Sequence, residues 1–92
     1  MGKEAALQAK CTEYLREKGV YHKKIILANS AGTPDILACI NGKFVAFELK
    51  APDGKPTALQ LHNRRKIKES GGECFIIYTI EQFRKIVNEY NT

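Results

Sequence analysis

Cysteine is sparse in this chain, and what there is lies far apart, at Cys11, Cys39 and Cys74. There is no C-x-x-C pair and the count is odd, so neither a zinc site nor a disulfide framework follows. Each of the three sits in an apolar pattern and reads as a small buried hydrophobe. No apolar run is long enough to span a bilayer, which excludes a membrane helix. Repeats and low-complexity tracts are also absent. The opening stretch MGKEAALQAK is charged and helical and has no signal-peptide core. An intracellular, cytoplasmic protein with no membrane partner is therefore expected. Carboxylates are the scarcer charge, with 10 Asp and Glu against 15 Lys and Arg, a net charge of +5 and a pI near 9.2. That balance favours an anionic partner, nucleic acid first. A basic surface without such a partner would carry the same charge.

What remains is an ordinary globular composition. Hydrophobic residues make up 43% of 92 positions, which fits one domain spanning 1–92. A chain of this length buries about 60–65% of its unfolded surface and supports one modest core.

Leu7, Cys11, Tyr14 and Leu15 form an apolar stripe at helical spacing, which predicts a helix over Glu4–Lys18 stopped by Gly19. Val20–Ala28 reads as a strand with basic residues at its start, and Asn29–Thr33 as a loop. Pro34–Ile40 and Lys43–Lys50 read as two strands joined by Asn41-Gly42. Asn-Gly between apolar runs is a hairpin signal, because a type I′ turn needs positive φ at both central residues. After a loop over Ala51–Lys55, a helix is expected from Pro56 or Thr57 to about Ser70, where Gly71-Gly72 ends it. A short strand follows over Glu73–Thr79. Thr79 then opens a last helix, with Gln82 completing a capping box and Phe83, Ile86, Val87 and Tyr90 forming the buried stripe. The order α-β-β-β-α-β-α describes an α/β protein whose central mixed sheet is flanked by helices.

The hairpin sets a register. With Asn41 and Gly42 as the loop, Ile40 faces Lys43, Leu37 faces Ala46 and Asp35 faces Glu48. Alternation then sorts the side chains. One face collects Ile36, Ala38, Ile40, Val45, Phe47 and Leu49. The other collects Leu37, Cys39, Phe44 and Ala46, with Asp35, Glu48 and Lys50 at its far end. Both faces of the hairpin are expected to be covered. Two carboxylates directly opposite would have Cβ atoms about 4.5–5.5 Å apart, where like charges destabilise a strand pair. Either Lys50 neutralises them as a plain ion triad, or a divalent cation bridges them. Converging hard oxygen ligands suit Mg²⁺ or Mn²⁺. Such a cation can polarise a phosphodiester, and the Lys50 ammonium can offset charge in the transition state.

Pro34-Asp35 followed by Glu48-Leu49-Lys50 resembles the signature of the PD-(D/E)XK nucleases, whose restriction-endonuclease-like core has the same element order. The segments EAALQ, YLREKG, GTPDI, FELKAPDGKPTALQ and SGGECFIIYTIEQF are similar, in order and spacing, to the virus-type replication-repair nuclease domain, VRR-NUC. The chain looks like a stand-alone, phage-type member. The resemblance implies metal-dependent DNA hydrolysis, with Asp35, Glu48 and the backbone carbonyl of Leu49 holding Mg²⁺ or Mn²⁺. Lys50 would position or activate the water, Gln60 would stand beside the site, and Glu4 would supplement the metal ligands. The resemblance further implies a homodimer acting on branched DNA such as a Holliday junction. The rival reading is a non-catalytic nucleic-acid-binding domain on the same fold.

Several of these residues also have an ordinary structural reading. Thr57 to Gln60 is S/T-x-x-Q, so Gln60 is either a capping residue, a site residue or both. Glu4 in a first helical turn favours the helix dipole without any further role. Lys55, Arg64, Arg65, Lys66 and Lys68 form a solvated helix face or a phosphate-contacting one. Lys23 and Lys24 are a second candidate for DNA contact, with Ser30 and Thr33 in the loop before Asp35. His22 and His62 are lone histidines and are read as surface or DNA-side residues.

Overall fold

The computed structural model describes residues 2–91. Its elements are α1 (Lys3–Glu17), β1 (Tyr21–Lys24), β2 (Ile36–Ile40), β3 (Lys43–Leu49), α2 (Ala58–Glu69), β4 (Glu73–Ile77) and α3 (Ile80–Tyr90). The strands form one sheet in the order β1-β2-β3-β4, antiparallel except for the parallel pair β3-β4. The α/β class, the element order and the mixed sheet are those expected from the sequence.

The Asn41-Gly42 turn has φ of 53° and 81°, the positive values that a type I′ hairpin requires. It pairs Ile40 with Lys43 and Leu37 with Ala46, up to Ile36 with Phe47. The first face is apolar as expected. Ile36, Ile40, Val45, Phe47 and Leu49 are fully buried there under Leu7, Cys11 and Leu15 of α1 and Phe83 and Val87 of α3. Phe47 and Phe83 meet at 4.6 Å between ring centroids and anchor this layer. Tyr14 and Tyr90 pack against its margin, and the Tyr14 hydroxyl donates to Asn88 Oδ1 at 2.7 Å.

The second face differs from expectation. Only α2 lies on it, and α2 buries none of its own residues completely. It sits over the β4 side, where the Arg64 Nε donates to the Cys74 carbonyl at 2.9 Å. β1, β2 and the start of β3 stay open on this face, so Tyr21 and Phe44 are 67% and 48% exposed and Cys39 is exposed between them. Twelve helical residues cannot cover four strands, and the expectations of a doubly covered hairpin and three buried cysteines are both corrected. β1 is also shorter than the apolar run suggested. Its pairing with β2 stops at Lys24, and Ile26 and Leu27 stand in solvent.

Candidate active site

Three segments converge at the far end of the hairpin: the residues before β2, the end of β3 and the first turn of α2. β2 is regular only from Ile36, and Asp35 lies one step outside the strand. Its N–H donates to the Phe47 carbonyl at 3.0 Å, while its Oδ2 accepts the N–H of Leu49 at 2.8 Å. A side chain thus takes a backbone donor at the end of the ladder. This fixes the Asp35 carboxylate over β3 rather than letting it swing into solvent.

Glu48 is 4% exposed and is the buried charged residue among those described. Its carboxyl is pushed up to about 8, by burial first, then by a side-chain hydrogen bond with Asp35 and the charge of Asp35. Lys50 pulls in the opposite direction, and Glu4 adds a smaller upward push. In the absence of a cation Glu48 therefore holds its proton to a higher pH than an ordinary carboxyl.

Gln60 completes this group. Thr57 caps α2, its side chain accepting the Gln60 N–H at 3.1 Å, and the Gln60 Oε1 accepts the Thr57 N–H at 2.8 Å. The other end of the same amide donates from Nε2 to Glu48 Oε1 at 2.9 Å. The cap and the Glu48 contact are thus two ends of one side chain. The capping expectation holds, and the same side chain also reaches Glu48.

The carboxylate pair suits a hard cation. Leu49 N–H engages Asp35 Oδ2 and Gln60 engages Glu48 Oε1, which leaves one oxygen on each carboxyl to share a proton or hold a metal. Two acids in hydrogen-bonding contact, Glu48 buried and Asp35 half-buried, are costly without one or the other. Among the described residues, no group of three or more His, Cys, Asp and Glu gathers as a metal centre. Glu4 is exposed on α1 and reaches the pair only through its field. Lys50 makes no close ion pair either: the ion pairs among the described residues are Glu13–Arg16 and Lys66–Glu69. The neutralised triad is therefore not what the structure contains.

The remaining candidates are scattered around this centre. Lys55, Arg65 and Lys68 are exposed on the loop and helix that follow the site. Arg64 is half-buried and tied to β4 through its Nε. That structural contact was not evident from its place in a basic run. Lys23 and Lys24 are exposed on β1, with the Lys23 ammonium 5.6 Å from the Tyr21 ring centroid. The Thr33 hydroxyl donates to the Ser30 carbonyl at 3.1 Å, closing the loop before Asp35. That loop is held against α2: Gly32 has φ of 83°, and a Cβ there would meet the Leu59 carbonyl at 2.8 Å. His22 is half-buried with its Nδ1 2.9 Å from the Val20 carbonyl, and His62 is exposed. Neither approaches the carboxylates as a ligand. The contact that sequence reasoning did not find is the Leu49 N–H, because a ladder ending one residue early leaves no trace in composition.

No family model matches the chain, and no curated protein matches it. Among solved structures it is similar to one described as "VRR_NUC domain", with a TM-score of 0.84 and 24% identity. The alignment covers 98% of this chain and 99% of that one. At this identity the likeness establishes the fold, and the chain has the fold of that domain.

Proposed function

On the premise of a VRR_NUC-type fold, we propose that the protein is a metal-dependent nuclease that hydrolyses DNA phosphodiester bonds. The observation that carries this reading is the contact between half-buried Asp35 and buried Glu48, held by Leu49 N–H and Gln60 at the edge of a basic molecule. Stability alone gives no reason to place two acids in contact with one of them buried. Asp35, Glu48 and the Leu49 carbonyl would hold Mg²⁺ or Mn²⁺, which supplies Lewis acidity toward a phosphodiester.

The protein's own groups do the rest. Gln60 keeps Glu48 turned toward Asp35. Lys50 places an ammonium beside the pair, where it orients the attacking water and offsets charge on the phosphorane-like transition state. Lys55, Arg65 and Lys68 flank the site and neutralise neighbouring phosphates. The free edge of Arg64 belongs with them. The proposed substrate is branched DNA, cut by a homodimer. Symmetric cutting of a junction needs two sites, and each chain offers one. The exposed row Tyr21, Cys39 and Phe44 gives a second copy an apolar surface.

The test is cleavage of linear, flapped and four-way-junction DNA with Mg²⁺ or Mn²⁺. Wild type should cut, the junction best, and Asp35→Ala and Lys50→Ala should not. Binding without cleavage on every substrate would leave the fold as a binding module.

A further inference from the structure

A pocket of about 340 Å³ opens beside Lys50, on the α1 and α3 side of the carboxylates. Lys3 and Lys10 of α1 line it together with Lys50, and Thr79 and Glu81 at the start of α3 form the opposite wall. Lys3 and Lys10 are seven residues apart on α1, two turns along one face, so their ammoniums can converge. Ala6 lies between them and lines the same pocket, its short side chain leaving the space open. Three ammoniums against the single Glu81 carboxylate give the lining a charge of +2. The start of α3 adds the positive end of a helix dipole. The parallel strands β3 and β4 both run out at this edge, just before Lys50 and Thr79. In open α/β sheets that is the end where ligands enter.

We infer that this pocket holds a phosphate of the strand being cut, one position along from the scissile phosphate. Lys50 belongs to both places, so a strand lying across it would set one phosphate against Asp35 and Glu48 and the next against Lys3 and Lys10. The inference rests on the nuclease reading and adds two residues to it. A backbone diester and a terminal monoester phosphate offer the pocket the same chemistry.

The experiment measures DNA binding in EDTA as a function of salt, followed by steady-state cleavage with Mn²⁺. It compares wild type with Lys3→Gln/Lys10→Gln, Lys3→Arg/Lys10→Arg and a control, Lys18→Gln/Lys85→Gln, whose lysines lie outside the pocket. The pocket variant should weaken binding by about tenfold or more and flatten the log–log salt dependence by about 2, as expected for two lost phosphate contacts. Its KM should rise with kcat within about threefold. The arginine variant should restore both, and the control should match wild type. Glu81→Gln should tighten binding. Substrates with and without terminal phosphates distinguish the two sources: equal losses mean a backbone phosphate, and a loss confined to phosphorylated ends means a terminal one. If wild type binds and cuts while the pocket variant is indistinguishable from it, or if the control loses as much, the pocket assignment is overturned and the nuclease reading stands. If wild type neither binds nor cuts DNA, both fall.

Discussion

Gln60 bonds Glu48 and Thr57 with the two ends of one amide, 2.9 Å from Nε2 to Glu48 Oε1 and 2.8 Å from the Thr57 N–H to Oε1. The start of α2 therefore cannot move without moving the buried carboxylate. The protein contains an internal control, because Thr79 and Gln82 form the same capping box on α3. Gln60→Ala and Gln82→Ala should each cost about 0.5–1 kcal/mol in urea denaturation. Only Gln60→Ala should also lower kcat, by about tenfold. Equal activity in the two variants would reduce Gln60 to a cap.

Protonation of Glu48 should appear in stability. Its folded-state value is raised from 4.5 to about 8. The folded protein keeps a proton that the unfolded chain loses above 4.5, so the stabilisation is complete below that pH. It is lost as pH rises toward about 8 and levels off above it. Mn²⁺ must displace that proton, so its affinity should climb over the same range. Urea midpoints between pH 5 and 9, with and without Mn²⁺, check both directions. Glu48→Gln should flatten both curves.

Gly32 should not tolerate a side chain. Its φ of 83° disfavours L residues, and a Cβ would lie 2.8 Å from the Leu59 carbonyl. Gly32→Ala should lose about 1–3 kcal/mol on denaturation. The same change should reduce cleavage at temperatures where the variant is still folded, because the loop leads directly into Asp35.

The open half of the sheet separates the three thiols. Burial pushes Cys11 up to about 12 and Cys74 up to about 11, whereas Cys39 is exposed. A thiol reagent should titrate one cysteine in the folded protein and three in denaturant. If this face joins two copies, Phe44→Asp should convert a dimer to a monomer by light scattering at little cost in stability, and dimerisation should shield Cys39 from the reagent.

How far the sequence speaks depends on the range of the interaction. Asn41-Gly42 and period-two alternation were enough to bring Asp35 and Glu48 to one end of one face, because a two-residue turn leaves no freedom of register. The S/T-x-x-Q pattern located the starts of α2 and α3 for the same local reason. Non-local geometry was not legible. Nothing in the pattern says that Asp35 leaves the strand to cap Leu49 N–H, or that α2 is too short and too shallow to close the second face. Arg64 looked like one more cation in a basic run, and only the crossing of α2 over β4 gives it a carbonyl. Lys3 and Lys10 stand seven apart in a helix, a spacing visible in the sequence, but their relation to Lys50 depends on where α1 docks.

The proposed nuclease activity depends on a cation held by the Asp35–Glu48 pair. The most direct measurement is the rate of Mn²⁺-dependent DNA cleavage by Glu48→Gln against wild type. Glutamine has the same shape and keeps an oxygen for Gln60, and it removes one of two contacting acids, so the variant should melt no lower than wild type without metal. The variant should lose about a thousandfold or more in rate, the several kcal/mol that Lewis-acid stabilisation supplies. A folded variant that cuts within tenfold of wild type would contradict that dependence.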